Sequence, residues 1–133
     1  MKLLDTTFLI HYWGGVDAVA DYLESNDESE FATTALNVKE IAVGRELQGE
    51  LDPHEIRSTF DWVTMLPFTV EHAFVAGELE ATLRRDDAFD QDKIHSLAGD
   101  LLIASVATER NATVVTRNRT DFELFDGVSV ETY

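Results

Sequence analysis

Short apolar segments that alternate with longer helical ones are the feature that most constrains the fold of this chain. Residues of strand-forming character occur at Lys2–Leu4, Glu30–Thr33, Val63–Phe68, Ala112–Thr116 and Val128–Glu131. Most of these segments are separated by stretches with apolar residues at helical spacing. Because parallel strands need such crossovers, the alternation predicts an α/β fold with a central parallel sheet covered on both faces.

The helical segments begin at residues with capping chemistry. Thr6 is predicted to N-cap a first helix through Trp13, and Thr69 to cap a long helix through Leu83. Further helices are predicted over Val16–Leu23, from Thr34 to near Gly49, after Asp52-Pro53, and over Lys93–Arg110. No repeat or linker interrupts the series, so residues 1–133 are predicted to form a single domain.

The composition excludes several classes of protein. The sequence contains no Cys, which excludes disulfide scaffolds and thiolate metal sites. No apolar run approaches the ~18 residues of a membrane span. The first residues lack the apolar core of a signal peptide because Asp5 interrupts it. We therefore expect a cytoplasmic protein that does not bind a membrane.

The net charge argues at first against nucleic-acid binding. The chain has 26 Asp and Glu against 10 Lys and Arg, a formal charge of −16, which would repel phosphates. The acids are spread along the whole chain, and Lys is scarce. This pattern favours a halophilic protein, because at 1 M salt the Debye length falls to ~3 Å and surface repulsion is screened. An ordinary acidic protein from a mesophile is the alternative.

Glu40 and Asp100 lie where helical periodicity predicts an apolar surface, although a lone buried carboxylate is costly. At 100° per residue, apolar side chains fall close to each acid on its helix. These neighbours are Leu36, Val43 and Leu47 for Glu40, and Leu97, Ile103, Ala104 and Ala107 for Asp100. Each acid is therefore expected to need a cation, a hydrogen-bond network or a metal ion.

Asp5 and Asp121 follow predicted strands. Because the carboxyl ends of parallel strands lie at one edge of the sheet, we expect both acids to point at one site together with Glu40 and Asp100. Neighbouring carboxylates raise one another's pKa, and Mg²⁺ or Mn²⁺, which prefer oxygen ligands, would relieve the repulsion. The alternative is that some of these acids act as helix caps or pair with Arg45, Arg117 or Arg119, which are also candidate phosphate contacts.

Four segments that contain these acids resemble, in order and spacing, the motifs of the PIN domain family. They are Leu3–Ile10, Leu36–Ile41, Gly99–Ala104 preceded by Ile94, and Val114–Asn118 followed by Asp121-Phe122. The resemblance covers nearly the whole chain, and the small single-domain form is similar to VapC-type toxins.

The resemblance implies a three-layer α/β/α sandwich and a divalent-metal-dependent endoribonuclease that serves as the toxin of a toxin–antitoxin pair. It implies that Asp5, Glu40, Asp100 and Asp121 are catalytic acids that bind Mg²⁺ (or Mn²⁺), with a hydroxyl from Thr116 and Asn118 as a polar neighbour. The metal would activate water for attack on an RNA phosphodiester. The implied partners are RNA, a cognate antitoxin protein and a second copy of the chain in a homodimer. We expect the antitoxin to present an Arg or Lys to the acids.

Two other functions remain open for such a fold. One is an RNA-processing nuclease without a toxin role, and the other is a catalytically weak protein-binding module. The candidate interface of such a module is an apolar helix surface near Phe8, Ile10, Tyr12 and Trp13. A phosphoacceptor receiver domain is excluded because Thr6-Thr7 follows Asp5 where an acidic pair is needed. The scattered histidines are expected to be ordinary surface or boundary residues: His11, His54, His72 and His95.

Overall fold

A parallel sheet organises the molecule, which a computed structural model describes over residues 1–133. Its strands are β1 (Lys2–Leu4), β2 (Phe31–Thr34), β3 (Thr64–Leu66), β4 (Thr113–Val115) and β5 (Ser129–Glu131). They pair in parallel in the order β3-β2-β1-β4-β5. The predicted parallel sheet is confirmed, and β1 and β4, which carry site residues just past their ends, are neighbours at its centre.

Eight helices connect and cover the strands. They are α1 (Thr6–Trp13), α2 (Asp17–Ser25), α3 (Ala35–Leu47), α4 (Pro53–Thr59), α5 (Val70–Arg85), α6 (Gln91–Ser96), α7 (Ala98–Glu109) and α8 (Arg119–Phe122). None of them is long and apolar enough to cross a membrane.

The alternation of side chains along each strand divides the core between the two faces of the sheet. Leu3 and Val114 lie in one apolar cluster with residues of α5 and α7. Leu4 and Val115 lie in a second cluster with residues of α1 and α4. Because successive strand residues point to opposite faces, helices pack on both sides, and the predicted three-layer α/β/α arrangement is confirmed.

Side-chain caps begin three of the helices as predicted. The Thr34 hydroxyl accepts from the Asn37 N–H at α3, Thr69 accepts from His72 at α5, and Asp52 caps α4. The prediction for Thr6 is wrong, because Thr6 is the first residue of α1 and Asp5 occupies the N-cap position. Asp5 makes no side-chain cap, since its carboxylate oxygens accept hydrogen bonds from other parts of the chain.

The single helix predicted over Lys93–Arg110 is also wrong, because the chain forms α6 and α7 with a break at Leu97. The Leu97 N–H bonds to the Ile94 carbonyl three residues back, which is a tighter turn than an α-helix. Gly99, a poor helix former, follows at the start of α7. The short helix α8 was not predicted.

The apolar stripe predicted on α3 does not face the core. Val43 and Leu47 are 47% and 84% exposed, and the helix instead buries Asn37 and Ile41, one turn apart. Glu40 lies at the exposed edge of α3 rather than within a buried apolar surface. The spacing of apolar residues predicted a helix here correctly, but it did not predict which side of that helix faces the core.

His72 is buried, contrary to the prediction that the histidines lie at the surface or boundary. It is 4% exposed, and its Nδ1 accepts from the Thr69 backbone N–H at 2.9 Å. Its Nε2 donates to Glu109 at 2.9 Å, so both ring nitrogens have a hydrogen-bond partner. His72 is buried because it is the third residue of α5 and belongs to the capping box there. Its imidazole turns back onto the start of the helix.

Truncation of Leu3 tests the position of the core. Leu3→Ala removes a fully buried side chain and is expected to lower the free energy of unfolding by about 2–5 kcal/mol. Leu47→Ala makes the same change at an exposed site and should cost less than about 0.5 kcal/mol. Urea unfolding followed by circular dichroism measures both, and equal losses would contradict this assignment of the core.

Candidate active site

Asp5 is held at the end of β1 by side chains from two other parts of the chain. It is 6% exposed. The Thr116 hydroxyl donates to its Oδ2 at 2.7 Å, and Asn37 Nδ2 donates to its Oδ1 at 3.2 Å. Burial raises the pKa of Asp5, and these hydrogen bonds partly offset that rise by favouring the charged form. Thr116 immediately follows β4, which pairs with β1, so the sheet itself brings the two side chains together.

Asn37 supports Asp5 from the first turn of α3, and the sequence analysis assigned it no role. It is fully buried. Its Oδ1 accepts from the Thr34 hydroxyl at 2.6 Å, and its Nδ2 also donates to the Thr6 hydroxyl at 2.9 Å. The available signal was an Asn three residues after a Thr at a helix start, which predicts a capping box and hence an inward-facing amide.

Asn118 joins Asp100 on α7 to Asp121 on α8. Its Nδ2 donates to Asp100 Oδ2 at 2.9 Å and to Asp121 Oδ2 at 3.2 Å. Its backbone N–H donates to the Thr116 hydroxyl at 2.9 Å, and that hydroxyl donates in turn to Asp5. A continuous hydrogen-bonded chain therefore links three of the four acids singled out in the sequence.

Glu40 approaches the same group from α3. Partial burial raises its pKa, a hydrogen bond with Thr6 lowers it, and the charge of Asp5 raises it again. Glu40 is therefore next to the start of α1, within electrostatic reach of Asp5. Asp5, Asp100 and Asp121 share one hydrogen-bonded chain, and Glu40 lies within electrostatic reach of Asp5 and Asp100 from an exposed helix edge.

The pKa of Asp100 is the one most affected by this arrangement of charges. Burial raises its pKa to about 7, and the charges of Asp5, Asp121 and Glu40 add to the effect. The hydrogen bond from Asn118 opposes the rise only in part. Near neutral pH, one of the clustered carboxyls thus holds a proton for part of the time, because the site lacks enough positive charge.

One cation, Lys93, lies at the rim of the site. Lys93 Nζ is 3.6 Å from Asp121 Oδ1. The arginines considered in the sequence do not pair with the four acids. Arg45 pairs with Glu50 and Glu55, Arg119 pairs with Glu123, and Arg117 has no carboxylate partner.

The donor set suits a hard divalent cation by its chemistry. The four acidic side chains offer oxygen ligands, whereas Asn37 and Asn118 turn their Nδ2 groups, which are not metal ligands, toward those carboxylates. As placed, no three Asp, Glu or His side chains form a group that could hold a metal ion. A cation bound here would therefore require the more exposed carboxylates to close in around it.

A mainly apolar groove of about 320 Å³ lies beside Glu40, between α1 and α3. Its walls include Ile10, Trp13, Ile41 and Arg45. The Arg45 guanidinium carbon is 4.6 Å from the centre of the Trp13 ring. Ile10 is 53% exposed, whereas Phe8 is fully buried and does not belong to the apolar surface predicted for α1.

Comparison with solved structures shows that this fold has been seen in several bacterial complexes. One is VapBC2 from Rickettsia felis bound to a DNA fragment from their promoter, with 22% identity, a TM-score of 0.77, and coverage of 99% of this chain and 98% of that chain. DNA-bound VapBC from Salmonella typhimurium gives 21% identity, a TM-score of 0.76, and 98% and 96% coverage. A toxin–antitoxin complex from Klebsiella pneumoniae gives 21% identity, a TM-score of 0.69, and 99% and 97% coverage. At these identities the likeness is one of fold.

The family assignment comes from the sequence itself. No curated protein matches the chain. The model of the PIN domain matches residues 2–128, which include all four clustered acids as well as Thr116 and Asn118. This match spans nearly the whole chain and agrees with the resemblance found in its motifs, so the protein belongs to the PIN domain family.

Proposed function

We propose that this protein is a divalent-cation-dependent endoribonuclease that acts as the toxin of a type II toxin–antitoxin pair. The observation that carries the proposal is the gathering of Asp5, Glu40, Asp100 and Asp121 at one edge of the sheet without an arginine partner. Membership of the PIN domain family supports the nuclease. The similarity of fold to proteins in toxin–antitoxin complexes supports the toxin role.

In this proposal the four acids are the ligands of Mg²⁺ or Mn²⁺. The bound cation would lower the pKa of a water molecule and offset charge at the reacting phosphate. Thr116 and Asn37 hold the Asp5 carboxylate by both oxygens, which fixes its orientation before any ligand arrives. Asn118 keeps Asp100 and Asp121 side by side, and so limits the movement needed to close them around a cation.

The overall charge is compatible with an RNA substrate under this proposal. A divalent cation at the site reverses the local sign for an incoming phosphate, whereas the remaining acids form a surface coat. We assign that coat to a halophilic protein of the cytoplasm, where concentrated salt screens its repulsion. RNA binding should then depend on the divalent cation more than on the global field of a chain with a net charge of −16.

The groove beside Glu40 is the proposed docking site of the antitoxin. Its exposed Ile10 and its Trp13 offer apolar area to a partner segment, and Glu40, one of the four acids, forms part of its lining. A segment with apolar side chains followed by an Arg or Lys would match both features, since a guanidinium is complementary to carboxylates. We also propose that the toxin forms a homodimer.

Substitution of the acids tests the nuclease activity. Asp5→Asn and Asp100→Asn should each lower RNA cleavage about 100-fold or more, because each removes a charged cation ligand. The assay uses purified protein, several structured RNAs and either Mg²⁺ or Mn²⁺, at near-molar salt. EDTA should abolish cleavage and weaken RNA binding.

Asp21→Asn is the matched control, because it makes the same change on the exposed surface of α2. It should cleave RNA as the original protein does. If the original protein cuts no better than Asp100→Asn, or binds RNA equally well in EDTA, the proposed nuclease is refuted.

The raised pKa of Asp100 predicts that the metal-free protein loses stability as the pH rises. An unfolded chain releases this proton near the ordinary pKa of 3.8, whereas the folded protein keeps it up to about pH 7. Between these values the folded state binds more protons, so the melting temperature should fall from pH 5 to pH 8. Asp100→Asn should reduce that slope and raise the melting temperature at pH 8.

Scanning calorimetry in EDTA at several pH values measures this effect. Asp21→Asn removes one acid from the surface and should leave the slope unchanged, which separates the site from the general charge. Added Mg²⁺ should raise the melting temperature of the original protein at pH 8 more than that of Asp100→Asn. Equal slopes of melting temperature against pH for Asp100→Asn and Asp21→Asn would show that the charged form of Asp100 is not destabilised in the folded protein.

A charge placed in the groove tests the antitoxin site. Ile10→Glu should weaken binding of a co-expressed antitoxin at least about tenfold, because it puts a charge into the core of the interface. The candidate is a protein of roughly 70–90 residues, encoded by the neighbouring reading frame, with a DNA-binding head and a helical tail. Val70→Glu introduces the same charge at an exposed apolar residue of α5 outside the groove and should have no effect.

Calorimetric titration of the purified partners gives both affinities. Equal weakening by the two variants would refute this docking site. The absence of any such neighbouring gene would instead favour an RNA-processing nuclease without a toxin role.

A further inference from the structure

Tyr133, which follows β5, packs against α1 beside the candidate active site. Its ring lies edge-to-face with Phe8, with 4.8 Å between the ring centres. Its hydroxyl and His11 Nδ1 are 2.7 Å apart, and the hydroxyl donates when the imidazole proton is on Nε2. Phe8 is fully buried, so the tyrosine ring is anchored on a fixed part of the core.

Arg117 contacts the ring of Tyr133. Its guanidinium carbon is 4.3 Å from the centre of the Tyr133 ring, within the range of a cation–π contact. Arg117 follows Thr116, whose hydroxyl contacts Asp5. Burial raises the pKa of Tyr133, the charge of Arg117 lowers it, and the charge of Asp5 raises it, so both charged groups lie within electrostatic reach of the ring.

Arg117 forms no ion pair with a carboxylate, whereas Arg45, Arg84 and Arg119 do. Three other arginines also lack an acidic partner (Arg57, Arg85 and Arg110), but among these four only Arg117 contacts an aromatic ring. The N–H donors of Arg117 are therefore not occupied by a carboxylate. A planar fork of donors is the geometry that binds a phosphate by two hydrogen bonds.

We propose that Tyr133 is a positioning residue that holds Arg117 at the edge of the acidic site, where Arg117 binds a phosphate of the RNA strand. This inference rests on the proposed nuclease function and adds a substrate contact to it. We place the phosphate on a nucleotide next to the cleaved bond, because Arg117 directly follows Thr116, whose hydroxyl contacts Asp5. Contact with the Tyr133 ring restricts the Arg117 side chain before RNA binds. Binding therefore costs less conformational entropy than it would for an exposed arginine without such a contact.

The experiment is a double-mutant cycle on RNA cleavage with Mg²⁺ present. Arg117→Gln should raise KM about tenfold with less than a twofold change in kcat, because it removes a charged contact to a phosphate that does not itself react. Tyr133→Leu should raise KM about fivefold, and Tyr133→Phe should restore most of the loss, since its ring keeps the stack. In the R117Q background, Tyr133→Leu should have no further effect on KM.

Arg110→Gln is the matched control. Arg110 precedes β4 and Arg117 follows it, so the two exposed arginines lie at opposite ends of one strand. Arg110→Gln should leave both KM and kcat unchanged. An NMR spectrum without RNA gives a second readout: the Arg117 side-chain protons should be shifted upfield by the Tyr133 ring, and the shift should vanish in Tyr133→Leu.

The outcomes separate this inference from the proposed function. An original protein that neither cleaves nor binds RNA refutes both. Normal cleavage with an unchanged KM in Arg117→Gln refutes only the phosphate contact. A raised KM in Arg117→Gln with additive effects of Tyr133→Leu refutes only the positioning role, and so does a Tyr133→Phe variant as impaired as Tyr133→Leu.

Discussion

The buried carboxylate of Asp5 is the constraint on which the rest of the candidate site depends. A charge placed at the end of a central strand needs hydrogen-bond donors, and Thr116 and Asn37 supply them from the neighbouring strand end and from α3. Through these contacts the positions of β4, α3 and α1 are fixed relative to one another. The same hydroxyl and the next amide, Asn118, extend the order to Asp100 and Asp121. These acids are therefore held by one hydrogen-bond network and are not positioned independently of one another.

The charge of the chain divides into two populations with different physical consequences. Most acids lie on helix surfaces and in loops, where water and salt screen them. The four at the sheet edge interact with one another, and Asp100 shows the result in a pKa of about 7. Repulsion among these carboxylates lowers the stability of the folded protein at this edge of the sheet. Such a loss of stability is typical of sites that bind a ligand.

The fold was largely predictable from the sequence, because strand and helix periods and capping residues are local signals. All five strands and the caps at Thr34, Asp52 and Thr69 were placed correctly. The break at Leu97 and the short α8 were missed, since a tight turn between two helical runs leaves the apolar spacing nearly unchanged.

The four acids were singled out by their position in the sequence, yet the reason given for Glu40 was wrong. The direction of the inner face of α3 depends on how the helix packs, and Asn37 rather than Leu47 faces inward. The role of Asn37 was not predicted, because an Asn at a helix start can simply cap the helix. Its second contact is with Asp5, which is distant in sequence. Tyr133 was missed for a similar reason, since its contacts with Phe8 and Arg117 are distant in sequence.

The order of the strands also bears on when the site can exist during synthesis. β1 is made first, but its neighbour β4 and the residues after it are made more than a hundred positions later, as the Asp5–Thr116 contact shows. A ribosome-bound chain that has not yet released Thr116, Asn118 and Asp121 has no assembled acidic edge. The proposed activity therefore begins only after the chain through Asp121 has left the ribosome, and a product truncated before Thr116 lacks it.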